Sequence, residues 1–178
     1  MMRLLPVLLL AACAVAAERP NVTREELAAV EKRLDKAVRA LDVDDPYDLL
    51  GFTRGVYLPG YGVVLTTEVN LVSTPLTPFH PPLTPAQIER LHQKKMRRLV
   101  MMRNLIEQML LVSAESLERL PANEQVVCGM TLFYRSFEKR DGLPSQIVMQ
   151  APRQALLEFR AGRTGRAEFD AALRVQEF

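Results

Sequence analysis

Few side chains in this 178-residue chain could move a proton, hold a metal or attack a carbonyl. It has two histidines, His80 and His92, and two cysteines, Cys13 and Cys128. Two imidazoles with no cysteine or carboxylate at ligand spacing do not make a zinc site. A thiol–imidazole pair would need Cys128 beside His80 or His92. Cys128, however, sits mid-run on an apolar strand face, whereas activated cysteines favour helix starts and electropositive pockets. It reads as a small core residue, and both histidines read as surface side chains. Asp42, Asp44, Asp45 and Asp48 are acidic enough for calcium, but their spacing is irregular and Pro46 stands where a calcium loop needs a glycine bend. They read as a solvated helix end. There is no nucleophile elbow of the Gly-x-Ser-x-Gly type and no His-Glu-x-x-His. Neither a metal nor a cofactor is expected.

Glu68 stands apart from these. It is the single charge in Gly62–Val72, with Thr66 and Asn70 on the same face. Lining a cleft, it would be an acid/base group or a ligand anchor; facing water, it would be a polar strand residue. Arg135 is its natural ion-pair partner if the two strands are neighbours.

A basic run, Arg90, Lys94, Lys95, Arg97, Arg98 and Arg103, carries the other reading. It is either a solvated helix face or a contact for anionic lipid heads or a negatively charged partner. Near a charged membrane each such residue adds about 1 kcal/mol. The formal net charge of +2 is too small to argue for nucleic acid.

These residues must be positioned by a small set of elements. Pro20–Asp42 has apolar residues at helical spacing (Leu27, Val30, Leu34, Val38, Leu41) and a Thr23/Glu26 capping box. Arg54–Val72 is two β-rich runs around Pro59-Gly60-Tyr61-Gly62, a hairpin signal. Ser73–Pro85 holds five prolines and reads as a stiff connector. Thr84-Pro85-Ala86-Gln87 starts a helix that runs to about Leu120, with a basic first half expected to project and an apolar second half expected in the core. Val126–Phe137 reads as a long strand returning through Asp141-Gly142 to Ile147–Ala151. Arg153–Arg160 and Thr164–Phe178 read as closing helices. The fold expected is α+β: a small, mainly antiparallel sheet of about four strands from two hairpins, covered by the N-terminal helix, the long central helix and the C-terminal helices.

The N-terminus speaks to destination. Met1-Met2-Arg3, an apolar run and small residues after it are the pattern of a bacterial export signal, too short for a membrane span. Cleavage after Ala16 or Ala17 would release a free chain. Leu10-Ala11-Ala12-Cys13 also resembles the lipobox of bacterial lipoproteins, which implies lipidation of Cys13. The organisation expected is therefore a signal peptide over 1–17 and one α+β domain over 18–178. The protein would be periplasmic or secreted, either free or lipid-anchored through Cys13. The inventory leans away from an enzyme and towards an envelope-associated binding or assembly module. Its partner would be an envelope protein or an anionic membrane surface, met by the basic helix (Lys94, Lys95, Arg97, Arg98, Arg103) or by the sheet face. The alternative is a small secreted hydrolase or ligand-binding enzyme centred on Glu68.

Overall fold

The computed structural model describes residues 22–73 and 82–178. The expected export signal, Cys13 and His80 lie outside the described residues. Helix α1 (Arg24–Ala40) opens with the expected capping box: Glu26 N–H donates to Thr23 Oγ1 at 3.2 Å and Thr23 N–H to Glu26 Oε2 at 2.7 Å. Strand β1 (Asp48–Leu49) leads to the hairpin of β2 (Arg54–Leu58) and β3 (Gly62–Asn70). Helix α2 (Pro85–Ser116) is unbroken over 32 residues, about 48 Å. It too starts on a capping box, Thr84 with Gln87. Strands β4 (Gln125–Leu132) and β5 (Gln146–Pro152) form the second hairpin. Helices α3 (Arg153–Arg160) and α4 (Arg166–Ala172) and strand β6 (Arg174–Glu177) follow.

The two hairpins join through β3 and β4, which pair in parallel from Gly62 opposite Gln125 to Val69 opposite Leu132. All other pairings are antiparallel, so the sheet is mixed: β1 and β2 share one side of β3, and β4, β5 and β6 follow on the other. Gly62 makes the junction close. Its φ is +139°, and a Cβ there would fall 2.0 Å from the Gln125 carbonyl oxygen. No side chain fits.

Alternation then decides the layers. In β3, Val63, Leu65, Thr67 and Val69 are buried while Thr66 and Glu68 are exposed. Val126, Cys128, Met130, Ile147, Met149 and Ala151 continue the buried face on β4 and β5. Against it pack Leu27, Val30, Leu34 and Val38 of α1 and Leu99, Met102, Ile106 and Leu110 of α2. Each fully buried aliphatic side chain adds about 1.5–3 kcal/mol. Phe169 of α4 stacks on Phe159 of α3 with ring centres 4.1 Å apart and closes the same core.

Helix α1 also blunts the β2 edge. Glu31 Oε1 accepts from Gly55 N–H at 2.7 Å and Asp35 Oδ1 from Thr53 N–H at 2.9 Å. Carboxylates thus take donors that an edge strand would leave open to another chain.

Four expectations need correction. Among the described residues the sheet has six strands, not about four. Thr164–Phe178 is not one helix: Leu173 leaves α4 at ψ 117°, and the chain after it pairs with β5, satisfying backbone groups that would otherwise be bare. The strand from Val126 ends at Leu132, not Phe137. The basic half of α2 does not project as a whole: His92, Lys95, Arg98 and Leu99 are buried, while Arg90 and Arg97 on its other side are exposed.

Candidate functional site: an open sheet face

Two members of the basic run, Lys95 and Arg98, are spent inside the molecule. Lys95 is fully buried. Its ammonium donates to Glu138 Oε2 at 2.5 Å, to Asn70 Oδ1 at 3.0 Å and to the Phe133 carbonyl at 3.4 Å, and lies 4.8 Å from the Tyr134 ring centre. Burial pushes the Lys95 ammonium below the usual lysine range, while Glu138 pulls the other way. The same apolar surroundings push the Tyr134 phenol well above its usual range. Arg98 donates to the Leu71 carbonyl at 2.7 Å and to Asp42 at 3.0 Å, pairs with Asp45 at 2.8 Å, and lies over the Tyr47 ring. Lys94 pairs with Asp45 as well, and its bond holds that carboxyl below its usual range. Arg103 grips Glu177 of β6 through two bonds of 2.6 and 2.8 Å.

Each cation is therefore an anchor: Lys95 for the 133–145 loop, Arg98 and Lys94 for the 42–47 loop, Arg103 for β6. The acidic cluster at Asp42 and Asp45 is their countercharge, not a bare solvated helix end. Arg90 and Arg97 remain exposed, with no carboxylate partner among the described residues.

The remaining candidates separate. His92 is buried, not on the surface, and its Nδ1 lies 3.2 Å from the Lys139 carbonyl. Cys128 is a fully buried free thiol in the core, and burial pushes it up to about 12. Such a thiol is not an activated nucleophile. Among the described residues no group of three or more His, Cys, Asp or Glu could hold a metal ion. Contrary to the expectation that the chain has no Ser-x-x-Lys, Ser136-Phe137-Glu138-Lys139 carries that spacing. It lies in a loop, and Lys139 is held above its usual range by Glu89, the reverse of what a general base needs.

Glu68 is exposed on the sheet face opposite the helices, and Arg135 forms no ion pair with it. It borders a shallow depression of about 250 Å³ with Arg54, Thr66, Thr131 and Phe52. Among the described residues, no second carboxylate, histidine or cysteine lines that depression. The chain matches no family model, no curated protein and no solved structure.

What remains is the face itself. Arg54, Val56 and Leu58 of β2, Thr66 and Glu68 of β3 and Thr131 of β4 are exposed on the side away from the helices, whereas Asn70 at the end of β3 is buried against Lys95. Leu50, Phe52, Val56, Leu58 and Phe133 are exposed there, with Phe52 at 64%. Thr66 and Glu68 on β3 and Thr131 on β4 stand beside them on the central strands, and Gln146 and Gln150 on β5. A sheet that buries one face and leaves exposed apolar and aromatic side chains among polar ones on the other offers a surface for a protein contact. Register reading places the alternation correctly but cannot tell which face the helices choose; the exposed aromatics at Phe52 and Phe133 carry that information only once β1 and the end of β4 are placed.

Proposed function

We propose that this is an exported, envelope-associated binding or assembly module that docks through its open sheet face and carries no reaction centre of its own. The observation that supports it most is the layering. Helices α1 to α4 stand on one side of the sheet, and the other side keeps Phe52, Val56, Leu58 and Phe133 in water. Its charges are few, Arg54 and Glu68 at the centre and Arg174 at the rim, so a protein surface suits this face better than an anionic bilayer does. The export signal expected at residues 1–17 supports the location. No helix among the described residues is long and apolar enough to cross a membrane. Retention would then come from the docked partner, or from a lipid on Cys13 where that route operates.

Cell fractionation tests the reading. The native chain is expected in the envelope fraction. Phe52→Glu with Val56→Glu is expected to move it to the soluble exported fraction with an unchanged melting temperature. Arg90→Glu with Arg97→Glu is expected to leave it in place. Release by the arginine pair and retention of the sheet-face pair would transfer the contact to α2. Finding the native chain in the cytosol would end the reading.

A further inference from the structure

A concavity lies at one end of the sheet, at the rim of the open face, where four stretches distant in sequence converge. The β2–β3 turn brings Tyr61, the approach to β4 brings Asn123 and Gln125, the end of β5 brings Gln150, and the α4–β6 join brings Arg174. The pairing makes this obligatory: Gly62 lies opposite Gln125, Val127 opposite Gln150, and Gln150 opposite Arg174. The hollow measures about 410 Å³, within the range of roughly 300–1,000 Å³ that small-molecule sites occupy.

Its chemistry is specific. Three primary amides and one phenol line it, each able to donate and accept. Amides that do both suit hydroxyl groups, which also do both. Among the described residues, Arg174 is the one cation in the lining and no carboxylate lines it. Arg174 has no ion-pair partner among the described residues, unlike Arg103 and Arg166 nearby in the fold, which are matched by Glu177 and Glu107. An unmatched guanidinium offers a two-pronged seat for one carboxylate. A dianionic phosphate would call for further cations or a row of backbone N–H groups. The Tyr61 ring, which is 43% exposed, supplies a flat apolar surface for the C–H face of a ring. Its hydroxyl makes one long bond, 3.4 Å to Gln150 Oε1, which a ligand could replace.

We infer that this hollow binds a small hydroxylated monocarboxylate, a sugar acid in chemical class, with Arg174 on the carboxylate and Asn123, Gln125 and Gln150 on the hydroxyls. The inference does not depend on the sheet-face docking proposed above; either can fail alone.

Titration of the purified chain with sodium glucuronate, glucose and glucose 6-phosphate, followed by amide NMR, tests it. Glucuronate is expected to bind saturably, with a Kd in the millimolar range or tighter, moving the side-chain amides of Asn123, Gln125 and Gln150 and the backbone amide of Gly60. Glucose is expected to bind at least about tenfold more weakly, the worth of one charge-assisted pair. Arg174→Gln is expected to reduce glucuronate binding to the glucose level at an unchanged melting temperature. Asn123→Asp, which adds a carboxylate to the lining, is expected to weaken glucuronate and spare glucose. Absence of saturable shifts at these amides, equal binding of glucose and glucuronate, or full binding by Arg174→Gln would overturn the site. Tighter binding of glucose 6-phosphate would overturn the carboxylate assignment.

Discussion

Lys95 Nζ sits 2.5 Å from Glu138 Oε2, and the two side chains are 1% and 2% exposed. The pair links the first half of α2 to the loop that leaves β4. A buried pair of this kind is costly to break and cheap to replace, because removing one member strands the other charge out of water. Glu138 Oε1 already lacks a hydrogen-bond partner, so this carboxylate depends heavily on the ammonium. Lys95→Met is expected to destabilise the protein by about 3–5 kcal/mol. Lys95→Met with Glu138→Leu is expected to recover most of that loss. Urea unfolding of both variants checks it; equal losses in the single and double variants would show that the pair is not coupled.

Two glycines of the central strands are expected to differ sharply in how they tolerate a side chain. A Cβ on Gly62 meets the Gln125 backbone, and φ is +139°. Gly62→Ala should cost more than about 3 kcal/mol, as strained backbone adds to the clash. At Gly129 the nearest atom to an added Cβ is Thr66 Cγ2 at 3.7 Å, ordinary contact. Gly129→Ala should stay within about 1 kcal/mol of the parent. The two melting curves, taken together, test the parallel β3–β4 register.

Acid should weaken the α1–β2 staple. Burial raises the Glu31 carboxyl, but Arg24 and the Gly55 N–H outweigh it and hold the group below its usual range. The folded state therefore gives up this proton more readily than the unfolded chain. Its contribution is complete above the unfolded value of about 4.3 and is lost as pH falls through the lower folded value. Glu31→Gln is expected to lower stability at neutral pH by about 1–2 kcal/mol. It should also flatten the acid limb of the stability curve. Chemical unfolding between neutral pH and mild acid measures both; an unchanged acid limb would remove Glu31 from the account.

Much of this architecture is readable from local chemistry. Thr23 with Glu26 and Thr84 with Gln87 announce the two long helices, and Pro59-Gly60 announces the β2–β3 turn. The inward basic residues are harder to see, because charge normally marks the wet side of a helix. The period was nevertheless there: stepping back from Ile106, Met102 and Leu99 by three and four residues lands on Lys95 and His92. Their countercharges, Glu138, Asp42 and Asp45, are distant in sequence, so nothing local reveals that these positions can be buried. Strand β6 was hidden for a related reason. Arg174–Glu177 has a single β-branched residue and takes its conformation from β5, a tertiary effect that overrides propensity. The sheet-end hollow combines four separate stretches and has no sequence signature at all.

The central claim is that the uncovered side of the sheet, and not the basic helix, meets the partner. Hydroxyl-radical footprinting tests it most directly, comparing the purified protein with the same protein in isolated envelopes. Phe52, Leu58 and Phe133 report on the sheet face and Met101, 41% exposed, on the outer side of α2. The account predicts protection of Phe52, Leu58 and Phe133 in envelopes with Met101 labelled equally in both samples. Protection of Met101 alone, with the sheet-face residues labelled alike in both, would contradict it.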